Sequence, residues 1–268
     1  MREPEEAAVQ SWDDVRRWRR EQRASLIARR QAIPQEERRR LQPLILDAVE
    51  RYFPELANGL LGFYWPFRGE IGPHQLVRRL IERGACAALP VVVEKGQPLE
   101  FWAWRPGAPL RRGVWDIPIP DERQVVRPTA LLVPLVGFDR RGFRLGYGGG
   151  YYDRTLAAMD PQPLTIGVGY ELGRLETIHP QPHDIPMNAI VTEAGLVRPR
   201  PDRDAAERRP APFADVDEDP NSRATYASPP CFMHELDPSY LGLTPNRKDR
   251  SADERPTDPD ACNETDAP

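Results

Sequence analysis

The chain has 268 residues, 40% of them hydrophobic and 29% charged, with a formal net charge of -4 at pH 7. These values lie near the globular average, supply a core for one or two domains, and argue against a nucleic-acid-binding protein. No apolar run approaches the roughly 20 residues that span a bilayer, and the N-terminus shows no secretory leader, so a soluble cytoplasmic protein is expected.

Arginines crowd residues 16–40 while acidic residues dominate 215–219, so the two ends are expected to differ in role. The cysteines, Cys86, Cys231 and Cys262, are odd in number and far apart, and no disulfide framework or CxxC metal site is expected.

The first element opens at Ser11, which can cap a helix with Asp14 three positions on. Val15, Trp18, Leu26 and Ile27 then recur at helical spacing until Pro34. Arg16, Arg17, Arg29 and Arg30 read as its solvated basic face. Pro34 also suits the start of a second helix, with Glu36 and Glu37 at its positive end. Leu44, Ile45, Ala48 and Val49 form the apolar face of that helix, and Pro43 is expected to kink or restart it.

From Gly59 onward, short apolar runs alternate with amphipathic stretches, the pattern of an α/β domain with a largely parallel sheet. Strands are predicted over 60–65, 87–93, 99–104, 131–136, 164–169 and 189–192, and helices over 73–83 and 151–159, with Gly84 as a left-handed cap. The predicted fold is a three-layer sandwich with a mostly parallel central sheet and N-terminal helices, confined to residues 11–197. Beyond Val197 the apolar periodicity stops, and the composition of 198–268 is that of a disordered tail. A short apolar island at 229–243, with Cys231, Phe232, Met233, Leu236, Tyr240 and Leu241, stands open as either a docking segment or a spacer.

One junction carries chemistry. Val133 to Asp139 leaves a buried strand, and Arg144 to Arg154 enters a helix through Gly146, Gly148, Gly149 and Gly150. Glycines let backbone N–H groups converge on an anion, the helix N-terminus adds roughly half a positive charge, and Arg144 adds a planar donor. Asp153, just inside the helix, suits either the helix end or a Mg²⁺ bridging phosphate oxygens. The plain alternative is a flexible turn. No GxxxxGK[ST] occurs, and Tyr151 stands where a dinucleotide fingerprint wants its third glycine, so this is neither a P-loop nor a Rossmann fingerprint.

The full string PLVGFDRRGFRLGYGGGYYDR, residues 134–154, closely resembles the signature of the 5-formyltetrahydrofolate cyclo-ligase family, also called methenyltetrahydrofolate synthetase. The resemblance runs from about Trp18 to about Val197 and takes in the arginine-rich first helix, the Glu70 loop, LEFWAW at 99–104 and HDIPMNAIVTE at 183–193. It implies ATP binding by Arg19 and Arg23, with Arg19 standing where the family carries lysine, and by the loop residues Arg144, Leu145, Gly146, Tyr147, Gly148, Gly149, Gly150, Tyr151 and Tyr152. Tyr147 through Tyr151 would also touch the folate, together with Trp65 and Glu70. Phe101 and Trp104 are candidates for completing an apolar wall. Mg²⁺ would be held by Asp153 and Asp184, with His183 structural.

The activity so implied is ATP- and Mg²⁺-dependent closure of 5-formyltetrahydrofolate to 5,10-methenyltetrahydrofolate. The formyl oxygen attacks the γ-phosphate, N10 closes on the activated carbon, and phosphate departs. No catalytic side chain is assigned, because the protein's task is positioning and charge neutralisation. Consistently, His74, His179, His183 and His234 form no nucleophile-activating motif, and Cys231 with His234 is only a C-x-x-H fragment. Gly72-Pro73 and Asn188 depart from the family pattern. They motivate an alternative, a catalytically weak nucleotide- and folate-binding regulatory protein. No membrane or nucleic-acid partner is expected.

Overall fold

A computed structural model describes residues 11–199. The 198–268 tail therefore falls outside the described residues except for its first two positions, and the 229–243 island lies wholly outside them.

Helix α1 (Trp12–Gln31) starts as its sequence directs, with the Asp14 amide donating to Ser11 Oγ at 3.2 Å. Helix α2 (Gln35–Tyr52) continues through Pro43 and does not restart there. Pro43 and Arg39, whose carbonyl loses its i+4 donor, are both exposed, so water can satisfy that carbonyl. Leu44, expected on the buried face, is 52% exposed; Leu41, Ile45, Leu46, Ala48 and Val49 form that face instead.

Strand β1 (Leu60–Gly62), helix α3 (His74–Glu82) and strand β2 (Cys86–Val91) make a parallel βαβ unit. Strand β3 (Glu100–Trp104) follows, then a small ribbon of β4 (Leu110–Arg112) and β5 (Pro118–Pro120), and β6 (Val125–Val126). Strand β7 (Ala130–Pro134) leads into a second ribbon, β8 (Gly137–Phe138) with β9 (Arg144–Leu145), and then to helix α4 (Tyr151–Ala158). Strands β10 (Leu164–Val168), β11 (Ala189–Thr192) and β12 (Gly195–Val197) finish the domain.

The main sheet has eight strands in the order β12-β11-β10-β7-β1-β2-β3-β6. Its centre from β11 to β2 is parallel, while β12, β3 and β6 pair antiparallel at the edges. Alternation along β7 divides the core into two layers. Leu132 joins α2 and α3 residues such as Ile45, Leu76 and Leu80, whereas Leu131 and Val133 join Leu156 of α4. Leu76, Val77 and Leu80 retain no exposed area, which stabilises α3 on the sheet by about 2 kcal/mol per side chain.

This topology positions the site. From adjacent β1 and β7 the chain departs in opposite directions, through α3 to β2 and through α4 to β10. The carboxyl ends of those two strands therefore flank a crevice at a topological switch point, where open α/β sheets bind ligands. A third cluster, Leu26 with Val136, Leu145 and Ile178, fastens α1 across that end.

Candidate active site

Helix α1 supplies the crevice with arginines from its buried face. Its buried residues are Val15, Arg19, Leu26 and Arg30, spaced to fall on one side of the helix, so half of the face that faces the protein is cationic. Arg19 donates through Nε to the Ile178 carbonyl at 3.0 Å and through Nη2 to the His179 carbonyl at 2.9 Å, and it pairs with Asp184. The Gln181 amide donates to the same carboxylate at 2.7 Å. A lysine could not make this set of contacts, which accounts for the arginine at this position.

Asp153 has a parallel arrangement. Arg144 Nη2 lies 3.0 Å from its Oδ2, and the Ile185 amide donates to its Oδ1 at 3.0 Å. Arg144 also donates to the Ile185 carbonyl at 3.1 Å and sits 5.7 Å from the centre of the Tyr152 ring. Asp153 and Asp184 are thereby brought to one loop, joined through the 184–185 backbone, and each is matched to an arginine. Among the described residues no group of three or more His, Cys, Asp or Glu could hold a metal. Two carboxylates nevertheless fit a Mg²⁺ that arrives on substrate phosphates, since this ion is commonly held by one or two carboxylates plus phosphate oxygens and water.

The glycine loop connects Arg144 to Asp153 along the chain. Gly148 and Gly150 have φ of +101° and +61°, a region in which a side chain would be strained. Arg23 fastens the loop, donating to the Gly146 carbonyl at 2.8 Å. Arg154 of α4 donates back to the Gly149 carbonyl. Among the described residues no side chain caps α4, which leaves its first-turn N–H groups to an anion. Tyr152 packs against the α4 layer of the core, and burial pushes its hydroxyl pKa well up. Tyr151 meets Trp115 edge-on, with ring centres 5.6 Å apart. Trp115 is 47% exposed with φ of 57°, an uncommon conformation for a bulky residue.

On the other lip, Glu70 is buried with only 4% of its side chain exposed. It accepts from the Tyr147 hydroxyl at 2.8 Å and the Phe67 amide at 2.9 Å. Burial raises its pKa, opposed by Arg30, Tyr147 and the Phe67 amide. Trp65 is buried and packs edge-on to His74 at 4.5 Å. Phe101 and Trp104 do not form one wall: three residues apart on β3, they point to opposite faces and join different core layers.

A family comparison now bears on this geometry: the 5-formyltetrahydrofolate cyclo-ligase family matches residues 15–193. The chain belongs to the 5-formyltetrahydrofolate cyclo-ligase family. It is 31% identical over 173 residues to the 5-formyltetrahydrofolate cyclo-ligase of Escherichia coli K12, covering 61% of this chain and 94% of that one. Over 145 residues it is 34% identical to the cyclo-ligase of Mycolicibacterium smegmatis, covering 50% and 74% of the two chains. The NMR structure of Aquifex aeolicus 5,10-methenyltetrahydrofolate synthetase matches with a TM-score of 0.60 at 30% identity, over 69% of this chain and 94% of that one. A synthetase structure from Mycoplasma pneumoniae shares the fold with a TM-score of 0.53 at 21% identity, over 65% and 97% of the two chains.

In this cyclo-ligase family member, the residues that depart from the family pattern have defined places in the structure. Asn188 Oδ1 accepts from both the amide and the hydroxyl of Thr165, at 2.7 and 2.8 Å, tying β10 to the entry of β11. The Gly72 amide donates to Gln42 Oε1 at 3.0 Å, and Pro73 is the residue that precedes α3.

Arg30 corrects the sequence reading outright. Expected on a solvated face, it is 3% exposed and donates to the Arg68 carbonyl at 3.0 Å, the Leu135 carbonyl at 2.9 Å and the Tyr147 hydroxyl at 2.6 Å. Its register with Val15 and Leu26 was the available signal. Trp115 was also missed, since its proximity to Tyr151 depends on how the β4–β5 ribbon folds back.

Proposed function

We propose that this chain is a cytoplasmic ligase that closes 5-formyltetrahydrofolate to 5,10-methenyltetrahydrofolate, consuming ATP in the presence of Mg²⁺ and releasing ADP and phosphate. The observation that carries this reading is the two partly buried carboxylate–arginine contacts, Asp153 with Arg144 and Asp184 with Arg19, which meet at the 184–185 backbone beside the end of a glycine loop at the switch point. Such pairs suit a ligand that brings both signs of charge. Magnesium on ATP offers a cation to the carboxylates and phosphate oxygens to the arginines, so both sets of partners are exchanged without stranding a buried charge. The metal's contribution when bound is to neutralise phosphate charge.

The residues then divide by task. Arg144, Arg19 and the first-turn amides of α4 would hold the nucleotide phosphates, while Arg23 keeps the Gly146–Gly150 segment in place. Glu70 would accept N–H donors of the pterin ring, with Tyr147 and Tyr151 beside the substrate. The formyl oxygen forms a bond to the γ-phosphorus as ADP leaves. N10 then bonds to the activated carbon, and the C–O bond breaks to release phosphate, which carries away the proton that N10 gives up. No side chain supplies a nucleophile in this sequence; the protein aligns the groups and stabilises charge.

The test mixes purified protein with 5-formyltetrahydrofolate, ATP and Mg²⁺ and follows the methenyl chromophore. ATP-dependent growth that disappears without ATP and in Asp153→Ala is the expected result. Absence of growth in the wild type alongside measurable ATP binding would overturn the reading.

A further inference from the structure

We propose that Arg30, buried beneath the crevice, is a positioning residue that keeps Glu70 an ionised acceptor for the N–H donors of its substrate. The inference rests on the folate reading of Glu70 for its last step only; the coupling between Arg30 and Glu70 stands on geometry.

Arg30 and Glu70 are both removed from water, each with 4% side-chain exposure. A carboxylate in that position is driven towards its neutral form unless a cation faces it. Arg30 Nη2 lies 3.9 Å from Glu70 Oε1, just beyond direct hydrogen bonding, and the Tyr147 hydroxyl bridges the gap. It accepts from Arg30 at 2.6 Å and donates to Glu70 at 2.8 Å. The remaining guanidinium contacts hold the cation still. Nε grips the Arg68 carbonyl in the loop after β1, and Nη1 grips the Leu135 carbonyl after β7. One side chain from α1 thus joins both lips of the crevice and directs its charge along a hydroxyl relay.

Among the described residues no other neighbour does this. Tyr64 and Tyr152 also face Glu70, and both are phenols held neutral by burial. Arg38 of α2 approaches Gly69, yet its guanidinium donates to the Gln31 and Ile33 carbonyls. The Arg68 guanidinium lies 5.0 Å from the centre of the Phe67 ring. Glu70 uses one lone pair on each oxygen for Tyr147 and Phe67, which leaves acceptor capacity for two further donors only while it is ionised. Protonated, it would present a donor where the ring presents donors.

The decisive measurement is direct titration of the Glu70 carboxyl by carbon NMR in the free protein, its signal assigned by its loss in Glu70→Gln. Arg30→Met should raise the Glu70 pKa by a unit or more, and Arg30→Lys should restore most of the original value. In the methenyl assay the same variant should lose roughly tenfold in kcat/KM for 5-formyltetrahydrofolate at about pH 6, recover towards about pH 8, and leave the KM for ATP within about twofold. Tyr147→Phe, which leaves Arg30 in place, should move the titration in the same direction by a smaller amount, and it serves if Arg30→Met does not fold. An unmoved Glu70 titration in both variants overturns the proposal, whatever the enzyme assay shows. A moved titration with a pH-independent loss of activity overturns its substrate step. Wild-type protein without methenyl product would instead overturn the proposed function and leave the NMR result to decide the Arg30–Glu70 coupling.

Discussion

At the scale of single residues, the polar groups buried in this protein differ in what they require. His74, 5% exposed among Phe63, Trp65 and Trp104, has an Nε2 atom without a hydrogen-bond partner among the described residues. Burial, with a smaller effect of Arg78, pushes its pKa down to about 4. An unfolded histidine titrates at about 6.5, so between these values the unfolded chain takes up a proton that the folded one refuses. Stability from this residue is therefore complete above about pH 6.5, falls as pH drops, and levels off below about pH 4, with a total near 3 kcal/mol. His74→Phe fills the same aromatic setting without the orphaned nitrogen. Urea unfolding midpoints measured between about pH 4 and 7 should show a shallower acid decline in the variant, with stability at about pH 7 equal or higher. An unchanged acid slope would mean that other groups set it. The arginines teach a different lesson about legibility. Arg19 and Arg23 were readable because a motif singled them out, whereas Arg30 was hidden by the rule that places charge outside, and only its helical register with Val15 and Leu26 betrays it.

At the scale of elements, the glycine loop separates backbone demands from spatial ones. Gly148 has φ of +101°, while the nearest atoms a Cβ there would meet belong to the Arg23 guanidinium, at 3.5 Å, an ordinary contact. An alanine is strained by its backbone and not by crowding. Because Gly148 is exposed, the strain should be relieved by a shift of the loop, not by unfolding. Gly148→Ala should therefore raise the KM for ATP roughly tenfold, the equivalent of about 1.4 kcal/mol, with a melting temperature within about 2 °C of wild type. Gly146 is the control, since a Cβ there meets nothing within 4 Å and its φ lies outside the left-handed region. Gly146→Ala should leave the melting temperature unchanged, so that any loss of ATP affinity reports a ligand in that space. Comparable loss of melting temperature in both would show that the loop is a structural turn. The helices and buried parallel strands were legible because each carries its own period: α1, α3, β7, β10 and β11 lie within a few residues of expectation. The short pieces β4, β5, β6, β8, β9 and β12 were not, because strands of two or three residues are fixed by their partners. Pro43 inside α2 shows the same limit, since exposure of the broken carbonyl is a tertiary property.

At the scale of the molecule, the sheet order decides what the separate motifs amount to. The sequence could place Glu70 after one strand and Arg144 to Asp153 after another, but only the adjacency of β1 and β7 puts both loops at one crevice. Four segments meet there: α1, the loop after β1, the loop after β7, and the stretch from Ile178 to Ile185. They are held together largely by arginines, through Arg19 to Ile178 and His179, Arg30 to Arg68 and Leu135, and Arg144 to Ile185. A ligand that binds across them stabilises the whole domain by mass action, about 2.7 kcal/mol at a hundredfold excess over its dissociation constant. For a domain of this size that corresponds to a rise of roughly 5–10 °C in melting temperature. The carboxylate–arginine pairs set the condition for it. ATP without Mg²⁺ offers the arginines a partner while leaving the partly buried Asp153 and Asp184 beside added negative charge. Mg²⁺ together with ATP should therefore give the full rise, ATP with a chelator less than half of it, and Mg²⁺ alone almost none. In Asp153→Ala the increment due to Mg²⁺ should vanish, from a lower starting temperature because Arg144 loses its carboxylate partner. Differential scanning fluorimetry across these conditions reads the result without turnover. Equal shifts from ATP with and without Mg²⁺ would remove Asp153 and Asp184 from the metal site and leave them as structural anchors for the arginines.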